Sequence, residues 1–296
     1  MFRATLTLTA SLAIATLAGS CSTALPPVAR PENDPRGGAV RASDRSARGA
    51  TTAGDEAHLA RLPAGVAFET TLGEYFTLFR TTGADRSRAH NVELAAGLLD
   101  GAVIFPGETF SFNAIVGARS RSAGFRKAHV IKEGELTDDW GGGTCQVAST
   151  LHAAALFAGL EMVEHSPHSR PSTYIELGFD ATVVWPSVDL KIRNPFDFPV
   201  VVHTVVSDGT LTVTVEGDHR VRDVRVTTAV LARRHWEQRV VDDPALPKGT
   251  REVTQLGGPG YTIRRTRTIA DASGARTESQ TVHYPPTDRI VHVGRQ

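Results

Sequence analysis

The order of apolar and polar positions separates an aperiodic amino-terminal stretch from a longer region with regular elements. Residues 22 to about 61 are rich in Pro, Ala, Gly, Arg, Asp and Ser and have no apolar periodicity. Such a stretch cannot bury enough apolar surface to offset the entropy that ordering would cost. We therefore predict a flexible tether over residues 22–65 and a folded region that begins near Val66 with a strand-like run.

Two segments of the folded region have the apolar spacing of helices. The first covers Asn91–Asp100 and ends before Gly101, with apolar residues three and four positions apart. The residues on its apolar face are Val92, Leu94, Ala95, Leu98 and Leu99. The second covers Cys145 to about Ala158 and ends at Gly159, with Thr144 as the predicted N-cap.

Alternating apolar and polar positions predict strands around these helices. One short strand is predicted between the two helices, at Thr109–Asn113, and the alternation recurs after the second helix. The later strands are Ser172–Ile175, Ala181–Trp185, Val188–Ile192, Val200–Val206 and Leu211–Glu216. The last two are predicted to form a hairpin because Asp208-Gly209 favours a tight turn. Two helices that lead into an antiparallel sheet indicate an α+β domain over residues 66–218.

Residues 219–296 differ in character, with Thr, Val and Arg alternating between glycine-containing turns and no helical spacing. We predict a small all-β module there. The segment is short for an independent core, so it forms either an extended module or one that docks on the preceding domain.

The composition excludes several classes of protein. Lys+Arg and Asp+Glu both total 32, so the formal net charge is zero, whereas a nucleic-acid-binding protein normally has a basic excess. The 2 cysteines exclude a disulfide-rich scaffold and a structural zinc site made of cysteines alone. We predict no nucleic-acid partner, no bound metal and no cofactor.

Residues 1–21 have the pattern of a secretory signal peptide that ends in a bacterial lipoprotein box. Arg3 precedes an apolar, threonine-rich run that is too short for a stable membrane span, and the run ends in Leu17-Ala-Gly-Ser-Cys21. Acylation of Cys21 would anchor the exported chain to a membrane, and cleavage near Ala18 by an ordinary signal peptidase is the alternative. Either pattern predicts an exported protein of the bacterial cell envelope.

Cys145 follows three consecutive glycines and begins the second predicted helix. The free N–H groups and the dipole of a helix start favour a thiolate, the nucleophilic form of cysteine, and they also bind an oxyanion. If Cys21 is acylated, Cys145 is the single thiol of the processed chain. The alternative is a structural role, in which the glycines allow a tight strand-to-helix crossing and Cys145 packs inward.

His168 and Asp180 are the predicted partners of Cys145. A turn at Glu176–Phe179 would bring His168 and Asp180 together on neighbouring strands, with the carboxylate orienting the imidazole. His152 lies two helical turns after Cys145, which is too far for direct proton transfer.

The same region offers two alternatives to a thiol site. His165 and His168 are loop histidines bonded to the backbone in one of them. In the other, a zinc ion is bound by His165, His168 and Asp180, with Cys145 as a further ligand. We rank the zinc site below the thiol site because no strict ligand motif is present.

Further residues near this segment are candidates for substrate binding. Arg119, Arg121 and Arg126 would clamp a carboxylate unless they form a solvated loop. Trp140 and Trp185 would stack on a sugar ring unless they pack in the core. We expect the substrate to contact Gly142, Gly143, Gln146, Arg119 and Tyr174.

Several motifs occur in a specific order along residues 68–217. They are Thr70-Thr-Leu-Gly, Asn91-Val-Glu-Leu-Ala-Ala, Phe105-Pro-Gly-Glu-Thr-Phe-Ser-Phe-Asn, Val116-Gly-Ala-Arg, Gly141-Gly-Gly-Thr-Cys-Gln-Val-Ala-Ser-Thr-Leu, Glu164-His-Ser-Pro-His-Ser, Gly178-Phe-Asp-Ala-Thr-Val and Asp189-Leu-Lys-Ile-Arg-Asn. With these motifs the chain resembles the VanW family of cell-envelope proteins. Through Leu246-Pro-Lys-Gly, Gly257-Gly-Pro-Gly-Tyr and Val291-His-Val-Gly, its tail resembles a G5 module.

The resemblance implies a VanW-like core followed by a G5-like β module, in a protein linked to the cell wall and to glycopeptide (vancomycin) resistance. Its implied partner is peptidoglycan or the peptide stems of peptidoglycan. One hypothesis is a hydrolase or acyl transferase with Cys145 as nucleophile, His168 as base and Asp180 as orienting group. The other is a non-catalytic protein that binds peptidoglycan or glycan, or acts as a scaffold, during cell-wall remodelling.

Overall fold

The computed structural model describes residues 62, 67–132 and 135–295, with side chains for all of these except residues 129–138. The predicted signal peptide, the lipidation site Cys21 and, apart from residue 62, nearly all of the predicted tether lie outside the described residues. Within the described ranges, no helix combines the length and the apolar character needed to cross a bilayer.

The described chain has helices α1 (Arg86–Leu99), α2 (Phe112–Val116) and α3 (Thr144–Ala158), and a short 3-10 turn (Gly83–Asp85) before α1. The strands are β1 (Thr70–Leu78), β2 (Ala102–Ile104), β3 (Thr109–Ser111), β4 (Lys127–Lys132), β5 (Glu135–Trp140), β6 (Glu161–Glu164), β7 (Lys191–Arg193), β8 (Val200–Ser207), β9 (Thr210–Gly217), β10 (Asp223–Arg234), β11 (Gln238–Asp242), β12 (Arg251–Gln255), β13 (Gly260–Asp271), β14 (Gly274–Tyr284) and β15 (Arg289–Val293). Few helices against antiparallel sheets, followed by an all-β region, confirm the predicted α+β class.

The first domain is built around an antiparallel sheet with the strand order β1-β9-β8-β2. Alternate residues of β9 point inward and are fully buried, namely Leu211, Val213 and Val215. Helix α3 packs closely on β1 because Gly73 has no side chain: a Cβ there would lie 2.3 Å from the backbone nitrogen of Ala158. The close approach of sheet and helix fixes the position of α3, whose amino end carries Cys145.

The predicted hairpin between β8 and β9 is confirmed. Ser207 pairs with Thr210 across the turn. Asp208 and Gly209 have positive φ angles of 50° and 76°, as a two-residue type I′ turn requires.

Two predicted strands are wrong. Residues 172–175 form no strand, with bends at 173–175, and Ala181–Trp185 contributes only an isolated bridge between Val184 and Val188. In Ala181–Trp185, the apolar alternation reflects burial of one side of an irregular segment: Ala181 and Val183 are buried, while the side chain of Val184 is exposed. In place of a sheet partner, the Ala181 N–H donates to Ser149 Oγ of α3 at 2.8 Å.

Two further predicted strands are shorter in the structure than the sequence pattern indicates. The predicted strand Thr109–Asn113 ends at Ser111, whose hydroxyl accepts a hydrogen bond from the Ala114 N–H at 3.0 Å and caps α2. Of Val188–Ile192, only the last two residues lie in β7.

The C-terminal β module, residues 223–293, contains two three-stranded sheets with the orders β10-β13-β14 and β11-β15-β12. It docks on the first domain through the β10-β13-β14 sheet. Val226 of β10 packs in a cluster with Ala153 and Leu156 of α3. Arg267 of β13 is buried and donates to the Leu160 carbonyl at 2.7 Å. Of the two alternatives for this segment, docking on the preceding domain is therefore the one observed.

Candidate active site

A glycine loop leads into α3 and places Cys145 in the first helical turn. The N-cap is Gly143, one residue earlier than predicted, and Thr144 is the first helical residue. Gly143 has a φ angle of 113°, and a Cβ there would lie 3.0 Å from the backbone oxygen of Arg88. Both the backbone conformation and the close contact with α1 therefore require glycine at this position.

Asn91 of α1 holds this loop in place. Its side-chain amide donates to the carbonyls of Gly142 and Arg126, both at 2.9 Å, and its Oδ1 accepts from the Arg126 N–H at 2.8 Å. From the sequence, Asn91 is predicted only as the start of a helix. The signal that it carried is a polar residue on the side of the helix that faces the core, where it is fully buried.

Cys145, His168 and Asp180 lie together, as the sequence predicts. The Cys145 sulfur lies 3.5 Å from both the backbone N and the backbone O of Val183, and the nearby His168 imidazole favours its thiolate form. His168 Nδ1 lies 2.9 Å from Asp180 Oδ2, which also accepts the His168 backbone N–H at 2.7 Å. Because Nδ1 faces the carboxylate, Nε2 is the nitrogen available to the sulfur. The side chains form the series expected of a nucleophile, a base and an orienting carboxylate.

The predicted hairpin is not what brings His168 and Asp180 together. Both residues lie in irregular chain between β6 and β7, and the bond from the His168 backbone to the Asp180 carboxylate closes the loop. The contact was predictable from the short spacing along the chain, whereas the strand pairing proposed to explain it does not form.

The three groups shift each other's protonation. Burial tends to raise the pKa of the Cys145 thiol, but the hydrogen bond and charge of His168 outweigh burial, with smaller contributions from the Val183 backbone and Arg119. The pKa of Cys145 therefore lies below 9.0. Burial tends to lower the pKa of His168, but its bonds to Asp180 and Cys145 raise it to about 9. The lowered pKa of Cys145 and the raised pKa of His168 both favour a thiolate–imidazolium pair.

The other two histidines have structural contacts. His152 and His165 stack with ring centroids 4.0 Å apart, and their ring nitrogens bond to the carbonyls of Phe179 and Asp180, both at 2.8 Å. Burial lowers the pKa of His165 to about 4 and places the pKa of His152 well below its ordinary value. Both rings are therefore neutral, and they hold the backbone on either side of Asp180.

The zinc site considered as an alternative does not form among the residues that the structure describes. No group of three or more His, Cys, Asp or Glu side chains in that part of the chain is arranged to hold a metal ion. His165 instead bonds to a backbone carbonyl, and His168 bonds to the carboxylate and the thiol.

A cavity of about 950 Å³ opens beside Cys145 and His168. Its walls include the glycine loop, Trp140 and Trp185 of the first domain and Leu256, Pro259 and Thr287 of the β module. Trp185 is 46% exposed and Leu256 79% exposed, so neither packs in the core. Arg121 and Arg126 are not among the lining residues, but Arg119 is.

The predicted substrate-contacting residues all border the cavity, but they differ in how far their side chains are committed to internal hydrogen bonds. Arg119 lines the cavity, with Nη1 donating to the Gly117 carbonyl at 2.7 Å and the guanidinium 5.4 Å from the centre of the Phe112 ring. Its Nε and Nη2 have no hydrogen-bond partner among the described residues. Tyr174 also lines the cavity, with its ring edge towards His168. Gly142 and Gly143 form part of the wall.

Gln146 also borders the cavity, but its side chain is fully buried and committed to internal contacts. Its amide nitrogen donates to the Thr77 hydroxyl at 2.8 Å, and its oxygen accepts from Arg88 at 2.7 Å. Its backbone N–H donates to Gly143 at 3.0 Å, and that of Thr144 donates to Gly141 at 3.0 Å. These two N–H groups are therefore not free to bind an oxyanion, which corrects part of the expectation for this helix start.

A residue of the β module completes the surroundings of Asp180. The Tyr284 hydroxyl donates to Asp180 Oδ1, on the opposite side of the carboxylate from His168. Local sequence gives no signal for this contact, since the two residues are 104 positions apart and lie in different domains.

Comparison with known proteins agrees with both halves of this architecture. The family model described as VanW like protein matches residues 87–216, and the G5 domain model matches residues 227–296. The IgA1 protease G5 domain structure, at 22% identity, aligns with 27% of this chain and 99% of that chain, with a TM-score of 0.19.

Two curated relatives match the first domain. The uncharacterized protein YoaR of Bacillus subtilis is 41% identical over 143 residues, which is 48% of this chain and 46% of that protein. The vancomycin B-type resistance protein VanW of Enterococcus faecalis is 32% identical over 153 residues, which is 45% of this chain and 56% of that protein. The chain thus spans about half the length of the curated relatives that it matches. Residues 87–216 are therefore VanW-like, and residues 227–296 match a G5 domain.

Proposed function

We propose that this chain is a cell-envelope enzyme that cleaves or transfers an acyl group in peptidoglycan peptides through Cys145. The observation that carries the proposal is the series Cys145–His168–Asp180 at the edge of a cavity large enough for a peptide. A buried thiol with a structural role needs neither an imidazolium partner nor an adjacent cavity.

In the first step, the Cys145 thiolate attacks the carbonyl carbon of the substrate amide. A C–S bond forms, and the tetrahedral intermediate collapses with cleavage of the C–N bond. The proton on His168 Nε2 passes to the departing amine, which leaves as a neutral product. The products of this step are a thioester on Cys145 and a neutral imidazole that Asp180 keeps in orientation.

In the second step, a water molecule or an acceptor amine attacks the thioester. His168 takes the proton of the attacking group, the new C–O or C–N bond forms, and the C–S bond breaks. The thiolate–imidazolium pair is then restored. Hydrolysis and transfer differ only in the group that reaches the thioester.

Arg119 is the proposed anchor for a substrate carboxylate or peptide carbonyl. Its Nε and Nη2 lack hydrogen-bond acceptors among the described residues, and burying such donors unpaired costs free energy. Because both atoms are buried, a substrate oxygen would supply the missing acceptor once the side chain turns towards the cavity, and a carboxylate would do so most strongly. The Cys145 N–H is the proposed donor to the oxyanion, since the N–H groups on either side of it are committed.

The relatives and the G5 domain support the cell wall as the place of action. One relative is, by its name, a vancomycin resistance protein. Together with the VanW and G5 domains, this supports an extracytoplasmic protein of the cell envelope. The proposal also includes export directed by residues 1–21 and membrane anchoring through Cys21. It includes no nucleic-acid partner.

The second candidate is a non-catalytic protein that binds peptidoglycan or glycan. The observation in its favour is that both domains form the cavity wall, with Trp185 and Leu256 exposed on it. Retention on purified sacculi tests binding, by comparing the full-length protein with a Trp185→Ala variant. Negligible retention of both proteins would contradict the binding candidate.

The catalytic proposal is tested with purified protein and a mixture of peptide-bearing muropeptides, with products identified by mass spectrometry. We expect a change in peptide-stem mass with the wild type and no change with Cys145→Ala. Ser169→Ala, which alters an exposed residue beside His168, is the matched control and should keep the wild-type activity. Full conversion by the Cys145→Ala variant would overturn the proposal.

A further inference from the structure

The Tyr284 hydroxyl lies at the junction between the β module and the thiol site. Tyr284 is the last residue of β14 and is 2% exposed. Its hydroxyl donates to Asp180 Oδ1 and accepts from the Gly178 N–H at 2.9 Å. A single phenol thus binds both ends of the Gly178–Asp180 segment.

Arg265 of β13 holds the same segment from a neighbouring strand. Its Nη1 donates to the Gly178 carbonyl at 2.6 Å and lies 3.2 Å from His152 Nε2. Since arginine has no acceptor, His152 Nε2 accepts this bond, and Nδ1 carries the proton that bonds to the Phe179 carbonyl. The guanidinium itself is fixed by Gln280 Oε1 at 2.5 Å.

We propose that Tyr284 is a positioning residue of the thiol site and that the β module is therefore a structural part of that site. This inference rests on the proposed function for the identity of the site. Asp180 orients His168 only while its Oδ2 faces Nδ1, and a carboxylate held at one oxygen alone can rotate about its χ angles. Tyr284 holds the other oxygen, so that rotation is blocked.

The phenol is suited to this role because it remains a donor over the whole working range of pH. Burial, followed by the negative charge of Asp180, raises the pKa of Tyr284 far above its ordinary value of 10.0. The titratable and charged groups that face it are Asp180 and Arg265. Neither group withdraws the proton that Tyr284 donates to the carboxylate.

The test is the pH dependence of Cys145 alkylation by iodoacetamide in the full chain, for wild type and Tyr284→Phe. We expect the acid edge of the wild-type profile to move to higher pH by about one unit in Tyr284→Phe, which is about a tenfold loss of rate on that edge. The matched control is Tyr261→Phe, which removes a phenol from the residue paired with Tyr284 across β13 and β14 and should keep the wild-type profile.

Superimposable profiles for wild type and Tyr284→Phe would overturn the proposal. An equal shift in Tyr261→Phe would also overturn it, because the effect would then belong to the module as a whole. The readout uses no substrate. Failure of the proposed function would leave the shift in place but show no turnover of muropeptides, so the two failures are distinguishable.

If circular dichroism shows that Tyr284→Phe does not fold, proton NMR of the wild type gives a second measurement. The Oη–H of Tyr284 and the Nδ1–H of His168 share one carboxylate, so both should appear as slowly exchanging downfield resonances, each with a nuclear Overhauser effect to the Hβ protons of Asp180. A His168 resonance without a hydroxyl partner would count against the role of Tyr284.

Discussion

Replacing Asp180 by asparagine tests the electrostatics of the site. The variant keeps the shape of the side chain but removes the negative charge beside His168 Nδ1. In the folded protein the pKa of His168 is raised from 6.5 to about 9, which corresponds to about 3 kcal/mol in favour of the imidazolium. The bond to Asp180 is the largest of the contributions that raise this pKa.

Loss of the imidazolium removes the charge that stabilises the Cys145 thiolate. We therefore expect the apparent pKa of Cys145 to rise in Asp180→Asn and alkylation at neutral pH to slow by about tenfold or more. The assay follows iodoacetamide labelling by intact mass between about pH 4 and pH 10, with circular dichroism to confirm folding.

Asp139→Asn is the matched control, since Asp139 also lines the cavity and its carboxylate bonds to the Trp140 N–H instead of to His168. We expect its alkylation profile to follow that of the wild type. A folded Asp180→Asn protein that reacts at the wild-type rate at every pH would refute the reasoning.

Three further predictions concern stability. Gly143→Ala places a side chain at a φ angle of 113° against α1 and should destabilise the fold by about 1–3 kcal/mol in urea unfolding, more than Gly107→Ala, where no atom lies within 4 Å. Asn91→Ala leaves the Gly142 carbonyl and the Arg126 N–H without the partner that Asn91 provides and should cost about 2 kcal/mol or more by the same assay; equal stability would contradict its role in the loop. Because His168 has a higher pKa in the folded protein, its protonation stabilises the fold fully below about pH 6.5, and the advantage over His168→Gln should shrink as pH rises through about 9.

The sequence was enough to predict the groups that carry the proposed chemistry because they lie close together along the chain. These features are local: a glycine run precedes a helix, a cysteine lies at the start of that helix, and a histidine and an aspartate lie in the following segment. Helix α3 and the β8–β9 hairpin were predicted for the same reason, from apolar spacing and from Asp208-Gly209. The motifs also pointed to the family before the fold was known.

The supporting contacts were not predictable because they join residues distant in sequence. Tyr284 reaches Asp180 across 104 positions, and Arg265 reaches Gly178 across 87. The loop that contains Asp180 has the alternating apolar pattern of a strand because its inward residues pack on α3. Its backbone, however, bonds to side chains such as Ser149 and not to a neighbouring strand. Periodicity reports burial on one side, and it does not distinguish a strand from a loop laid over a helix.

Thiolate absorbance in the ultraviolet, titrated in the wild type and corrected with Cys145→Ser, measures the state of the sulfur without any reagent or substrate. Since the imidazolium of His168 stabilises the Cys145 thiolate, we expect the difference spectrum to show a thiolate that forms below pH 9.0, and we expect this transition to move to higher pH in His168→Gln. A sulfur that ionises only at or above pH 9.0, with or without His168, would contradict the account.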